Sequence, residues 1–391
     1  MKILIDALQH ADDITGTDRA ARNLLRELQT LDQKNDYRVI CMKGYRYIPD
    51  ILTAPNFRID WLTRRRKRNP IFWVALLWRW ISRIILNRPD LFFSFHNFQV
   101  PAVKYAKIIT SDLDLIPLHF PGDYSKIAGV VPFFDRFASQ ARREQVYRRK
   151  LQHAIDLADH FMANSEFSKD DLVKTLGVDP KKITVVNLAP EERFTAPIGS
   201  EEITEVRRKY HLPPHYVLTM GSTEPRKNVR AVIEAFGNLP ADLKKKYRLV
   251  VGGRAWHHIT PQDILGEEAD LVHFTNYVDD QDLPALYKGA TVFVLASLFE
   301  GFGIPLLEAQ AVGTPILSSN RTSLPEIGGR GAEYVDPEDR DAITREMAKL
   351  LQDEKRRKEL VAAGRVNLRR FSWRVSAEKI LRMFEEVGES D

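Results

Sequence analysis

Cysteine is almost missing from this chain: there is one, Cys41, in 391 residues. A disulfide framework is impossible, and a reducing compartment is the natural setting. Long apolar runs are missing as well. No stretch reaches the roughly 18 uninterrupted apolar residues that mark a membrane-spanning helix. The opening MKILIDAL is too short for a secretory leader and is interrupted by Asp6, so it reads as a first buried strand. There is no internal repeat and no low-complexity segment, which excludes solenoids and compositionally disordered chains. Net charge is small: 58 Lys and Arg against 53 Asp and Glu leave +5. What remains is a globular composition, 44% hydrophobic and 28% charged, in a chain longer than one usual domain. Two domains are expected.

The first half alternates short apolar runs with helical segments. Expected strands are Ile3–Ala7, Tyr37–Met42, Leu91–Ser94, Lys107–Thr110, His160–Ala163 and Ile183–Asn187, with helices such as Asp18–Leu31 and Phe134–Asp159 between them. The second half repeats the pattern with Tyr216–Met220, Arg248–Val251, Val272–Phe274, Thr291–Leu295 and Pro315–Leu317. Such alternation predicts parallel α/β sheets. Residues 188–215, rich in Pro, Glu and polar groups, read as a linker.

The small net charge is unevenly spread. Residues 64–88 carry eight Arg or Lys, no acid, and Trp73, Trp78 and Trp80. Cations around a short apolar run with tryptophans suit a helix lying on an anionic membrane surface. The cluster Arg142, Arg143, Arg148, Arg149 and Lys150 adds to that reading.

The chemistry-bearing text lies in the second half. Glu300 and Glu308 stand eight apart with Gly301 and Gly303 between them, directly after the apolar run Thr291–Ala296. A strand running through a glycine loop into a helix would set both carboxylates at the C-terminal edge of a parallel sheet, where open α/β folds bind ligands. Glycine allows close backbone approach, and a helix N-terminus favours anions. Likewise Val217–Met220 runs into Gly221-Ser222-Thr223-Glu224-Pro225-Arg226-Lys227-Asn228. Two cations beside a helix start suit a diphosphate.

These segments resemble the E-x7-E and G-x(4)-RKN elements of the GT4 family of retaining glycosyltransferases. Ser297–Gly303, Glu308–Ile316 and Leu324-Pro325-Glu326-Ile327 carry the likeness most closely. Asn164–Leu172 and Lys182–Val186 carry it further, as a strand, a helix capped by Ser165 with Ser168, and another strand. The family implies the GT-B fold: two Rossmann-like domains facing across a cleft. Here that means an acceptor-binding domain over 1–190, joined by a returning C-terminal helix 372–391, and a nucleotide-sugar domain over 191–371.

It also implies roles. Arg226 and Lys227 would hold the donor phosphates, with Gly221 and Ser222 beside them. Glu300 would meet donor-sugar hydroxyls, helped by the amides of Gly301, Phe302, Gly303 and Ile304, and Glu308 the ribose. Gly253, Arg254, Asn276, Tyr277 and Val278 would flank the base. In the first domain Gly16, in Thr15-Gly16-Thr17-Asp18-Arg19, would approach the phosphates, with Asp18 as a helix N-cap. Thr110–Pro117 resembles the family's HDL-x-P loop, with Leu113 in place of the usual His. Asp114 would bond an acceptor hydroxyl, and His96 is a candidate substitute for the missing His. Asp112-Leu113-Asp114 also spells D-x-D, a metal motif of another fold, but the surrounding text favours a metal-independent enzyme without a cofactor.

The implied function is transfer of a hexose, first choice mannose from GDP-mannose, from a nucleotide-diphosphate sugar to a glycan or lipid-linked acceptor. The setting would be assembly of surface polysaccharide or lipopolysaccharide, by an enzyme peripheral on the cytoplasmic face of a membrane. An epimerase on the same fold is disfavoured by the paired motifs. A non-catalytic transferase subunit would fit Leu113. A basic nucleic-acid-binding protein would fit residues 64–88, but no binding module is recognisable and no nucleic acid partner is expected.

Overall fold

A computed structural model describes residues 1–7, 16–42, 47–62, 88–95, 100–111, 115–120, 140–253 and 260–389. Of the candidate residues named above, Thr15, His96, Asp112, Leu113, Asp114, Arg254 and residues 64–87 of the basic, Trp-rich segment lie outside the described residues. The chain forms two compact units. Unit 1 is Met1–Leu188 together with Trp373–Asp391, and unit 2 is Ala189–Ser372.

Unit 1 holds strands β1 (Lys2–Asp6), β2 (Asp36–Met42), β3 (Phe57–Leu62), β4 (Leu91–Ser94), β5 (Lys107–Ser111), β6 (His160–Ala163) and β7 (Ile183–Val185). They form one parallel sheet in the order β3-β2-β1-β4-β5-β6-β7. Its helices include α1 (Gly16–Leu31), α2 (Gln140–Leu157) and α3 (Glu166–Leu176). The central strands are buried on both faces, as LFFS in β4 shows, because helices cover both sides of a parallel sheet. The α3 helix is capped as read: Ser165 Oγ accepts from the Ser168 amide, and Gly177 ends it in the left-handed region. Asp18, by contrast, is no N-cap. The helix already begins at Gly16, and Asp18 lies buried in its first turn, where the positive helix end favours a carboxylate.

Unit 2 contains α4 (Ser200–Lys209), α5 (Val229–Gly237), α6 (Leu283–Gly289), α7 (Ile304–Val312), α8 (Leu324–Gly328), α9 (Arg340–Gln352) and α10 (Glu354–Asn367). Its strands are β8 (Tyr216–Met220), β9 (Arg248–Gly252), β10 (Val272–Asn276), β11 (Val292–Leu295), β12 (Ile316–Ser319) and β13 (Glu333–Val335). The order is β10-β9-β8-β11-β12-β13, again parallel. Both sheets thus have the doubly wound order, in which strand succession reverses between β1 and β4 and between β8 and β11.

Residues 188–215 are not a linker. They hold a short helix, Glu192–Thr195, and α4, and they bury Phe194, Val206 and Leu212 in the unit 2 core. The polar surface of this amphipathic segment conceals three apolar anchors spaced too far apart to form a run.

The last helix, α11 (Trp373–Glu389), belongs to unit 1. Ala377, Ile380, Met383, Phe384 and Val387, at helical spacing, enter the core that also holds Leu24, Leu25 and Leu28 of α1. Phe384 meets Phe93 of β4 edge to face, with ring centroids 5.2 Å apart. Burying the four larger side chains contributes about 1.5–3 kcal/mol each, comparable in sum with the whole stability of a domain. Unit 1 therefore depends on α11.

Candidate active site

The site is built where strand order reverses in unit 2, at the carboxyl ends of β8 and β11. After β8, residues Pro225–Lys227 make one 3-10 turn, and Asn228 adopts the left-handed region at φ 53° before α5 starts. Asn tolerates that conformation better than most residues. Its side-chain amide donates to the carbonyl of Ala296 at 3.0 Å and to that of Pro337 at 2.8 Å. The cation turn is thereby tied to the loop after β11, an attachment strengthened by the Leu298 amide donating to the Arg226 carbonyl at 2.7 Å.

That attachment brings Glu300 onto both cations. Lys227 Nζ lies 2.7 and 3.0 Å from the two Glu300 oxygens, and Arg226 Nη1 lies 3.2 Å from Oε2. Ser297 Oγ donates to Oε1 at 2.8 Å. Each oxygen thus has two polar contacts, the capacity of a carboxylate. Burial by itself pushes the Glu300 pKa up. The charges of Lys227 and Arg226 and the hydrogen bonds from Lys227 and Ser297 outweigh it and hold the carboxyl below its ordinary value of 4.5. Arg226 is also held by Glu224, 2.8 Å from Nη2, and Glu224 accepts from Ser222 Oγ at 3.0 Å.

The glycine loop is fixed from below. Ser323, fully buried, places its hydroxyl 2.8 Å from the Glu300 carbonyl and 2.9 Å from that of Phe302. The Glu300 amide donates to Thr322 Oγ1 at 3.2 Å. Thr322 sits at φ 57°, a strained conformation for a β-branched residue, and such strain concentrates at functional sites. Gly303, at φ 101°, leads into α7, where a Cβ would press on Leu324. Gly301, Phe302 and Gly303 are therefore in the loop, Phe302 buried, and Ile304 opens α7. Glu308 is buried one turn into that helix.

On the other side of β8, the backbones of two loops touch. Gly253 is at φ 135°, and a Cβ on it would overlap the carbonyl oxygen of Gly221. Asn276 accepts from the Gly253 amide at 3.0 Å through its own carbonyl, Val278 is buried, and Tyr277 is 49% exposed at the edge of the site.

The structure therefore gathers Gly221, Ser222, Arg226, Lys227, Gly253 and Glu300–Ile304, with Glu308, at adjoining strand ends of unit 2. Gly16 lies in unit 1 as the exposed first residue of α1, with nothing near the position of an added Cβ. Sequence reading passed over Asn228 as an anchor and the supports Glu224, Ser297, Thr322 and Ser323. Glu224, Asn228 and Ser297 lie inside the quoted motifs, which was the one available signal. Among the described residues, no group of three or more His, Cys, Asp or Glu is placed to hold a metal, and no helix is long and apolar enough to cross a membrane.

Known proteins share the sequence pattern and the fold of this chain. The family model "Glycosyl transferases group 1" matches residues 202–367, and "Glycosyltransferase Family 4" matches residues 14–188. The chain is 34% identical over 235 residues to O-antigen chain mannosyltransferase B of Escherichia coli, covering 59% of this chain and 61% of that protein. It is 32% identical over 266 residues to the serotype-specific mannosyltransferase WbdA of Escherichia coli, covering 66% of this chain and 32% of that protein. The matches thus span less than two thirds of these relatives. Among solved structures, Anabaena Alr3699/HepE in complex with UDP and glucose aligns over 98% of this chain and 99% of its own, with TM-score 0.71 and 15% identity. WaaG, a glycosyltransferase involved in lipopolysaccharide biosynthesis, aligns over 97% of this chain and 98% of its own, with TM-score 0.66 and 17% identity.

Proposed function

The chain belongs to the glycosyltransferase family 4, group 1 transferases of GT-B fold, and from that premise we propose that it is a retaining hexosyltransferase using a nucleotide-diphosphate sugar. The observation that carries the reading is the Arg226–Lys227–Glu300 cluster at the strand-order reversal of unit 2. When a sugar leaves a nucleoside diphosphate, negative charge builds on the oxygen of the breaking bond. Cations already fixed there stabilise the transition state more than the ground state. Lys227 and Arg226 are fixed by Glu300 and Glu224, and their charge serves where other transferases use a divalent ion. Metal independence follows as part of the proposal.

Glu300 has a double task in this scheme. It fixes the cations, and when the diphosphate draws them away its freed lone pairs accept donor-sugar hydroxyls. The amides of Gly301 to Ile304 assist, Glu308 takes the ribose, and Gly253, Tyr277 and Val278 flank the base. The acceptor hydroxyl attacks C1 from the face the leaving group departs. The C1–O bond to the acceptor forms as the C1–O bond to phosphate breaks, and the acceptor proton passes to the leaving phosphate. Asp114 is assigned to an acceptor hydroxyl.

Mannose from GDP-mannose is the preferred donor, because the two relatives above are mannosyltransferases by name. The O-antigen chain in the name of the first relative also supports a lipid-linked glycan acceptor, surface-polysaccharide assembly and a peripheral position on the cytoplasmic side of a membrane, with residues 64–88 as the attachment. The test is thermal unfolding with GDP, UDP, ADP and dTDP and their sugars, with and without EDTA. A ligand bound only by the native state raises stability. A selective shift with GDP and GDP-mannose, insensitive to EDTA and lost in Lys227→Ala and Glu308→Ala, is expected. A well-folded protein that shifts with no nucleotide would overturn the proposal in favour of a non-catalytic subunit.

A further inference from the structure

A groove of about 490 Å³ lies at the opposite edge of the unit 2 sheet from the Glu300 cluster. Thr291 and Pro315 line it, and each directly precedes a strand, β11 or β12, whereas Lys227 and Glu300 follow the carboxyl ends of β8 and β11. One wall is a face of α10 bearing Glu354, Arg357, Lys358 and Arg365, and Lys288 enters from the end of α6.

Four cations therefore share the groove with one carboxylate, and that carboxylate is committed: Glu354 pairs with Lys358 at 2.7 Å. Arg357 donates through Nη1 to the carbonyls of Leu350 and Leu351, and Lys288 Nζ donates to the Val312 carbonyl at 2.8 Å. Carbonyls fix these two side chains without cancelling their charge. Lys288 is explained in part as a cation at the negative end of α7. Arg365 is not: it is exposed and forms no ion pair among the described residues.

Lys288 and Arg365 converge on one place. A Cβ added to Gly313 would lie 3.6 Å from Lys288 Nζ and 4.0 Å from Arg365 Nη2. Gly313 is the C-cap of α7 at φ 78°, and its lack of a side chain leaves that place open. Two like charges near one point, in a groove whose one carboxylate among the described lining residues is paired with Lys358, raise the energy of the site until an anion arrives. A phosphate group offers several acceptor oxygens to an ammonium and a guanidinium at once.

We propose that this groove is a second anion site of the protein, taking a phosphate group at Lys288, Arg365 and Arg357. It is separate from the donor site and does not depend on the transferase reading. The phosphate belongs either to a small free molecule or to a lipid headgroup. The α7 helix joins the two edges of the sheet, with Gly303 at its start and Gly313 at its end.

The experiment is calorimetric titration of the full chain with inorganic pyrophosphate at fixed ionic strength, with hydrogen exchange to locate binding and with phosphatidylglycerol vesicles in a parallel arm. Slowed exchange over 283–289 and 354–365 is expected in the wild type. Arg365→Glu, which breaks no hydrogen bond or ion pair among the described residues, should weaken the binding read at these two segments by at least about tenfold, while Lys227→Ala removes any binding at the donor site and leaves their protection in place. Binding of pyrophosphate would identify a free phosphate as the source. Binding of vesicles alone, lost in Arg365→Glu, would identify a headgroup. An Arg365→Glu protein whose two segments are protected by pyrophosphate or vesicles as in the wild type, or exchange unaltered in both segments by either probe, would overturn the proposal.

Discussion

The two sheets share one strand order and differ in what they place at its reversal. In unit 2 the polar groups there satisfy one another: Glu300 meets Lys227, Arg226 and Ser297, and Ser323 meets two loop carbonyls. In unit 1, Asp6, Ser94 and Thr110 stand side by side on β1, β4 and β5 and are buried. The hydroxyls of Thr110 and of the neighbouring Tyr105 are buried without a hydrogen-bond partner among the described residues. Burial, and then the nearby Asp6, push the Tyr105 pKa up, so that phenol stays protonated. The same topology can thus carry a tightly prewired polar centre or a loosely satisfied one. The first kind suits a fixed ligand such as a diphosphate.

The contrast can be broken most severely at Lys227. Lys227→Ala leaves Glu300 buried with Arg226 and Ser297 but without its nearest cation, which should cost about 3 kcal/mol in unfolding experiments, and should lower sugar transfer roughly 10²–10³-fold. Gly253→Ala forces a Cβ into the Gly221 carbonyl at a positive φ. A loss of about 2–3 kcal/mol in denaturant unfolding is expected. Ser323→Ala strips the Glu300 and Phe302 carbonyls of their buried donor, for about 1–3 kcal/mol.

Acid titration sharpens the comparison further. The Glu300 pKa is depressed in the folded state, so its contribution to stability is complete above its ordinary value of 4.5 and is lost as pH falls below it. Glu300→Gln should show a shallower loss of stability below that pH, by up to about 1.4 kcal/mol per pH unit. The smallest effect belongs to unit 1. Thr110→Val removes a hydroxyl that makes no hydrogen bond among the described residues, and stability should change by less than about 0.5 kcal/mol or rise. A loss there as large as that of Ser323→Ala would erase the distinction between the two centres.

Much of the fold was legible because buried parallel strands are apolar runs separated by helices. The exceptions are instructive. The edge strands β3 and β13 were not expected: FRIDWL alternates polar and apolar residues, and EYV is three residues long. The motifs at the site were legible because Arg226, Lys227, Glu300 and Glu308 sit in two short stretches, each following a strand. Their supports were not, because they act across the chain. Asn228 reaches Pro337, 109 residues away, and the part played by Thr322 depends on a backbone angle that its residue type disfavours.

The α11 helix has a consequence for the order in which the molecule is made. Unit 2 has all of its residues once Ser372 has been synthesised, but unit 1 still lacks α11 and the contacts that α11 makes with β4 and α1. On the ribosome, the earlier segment must wait for a later one, holding an unfinished apolar surface while unit 2 folds. Such a surface is where aggregation begins and where a chaperone would act.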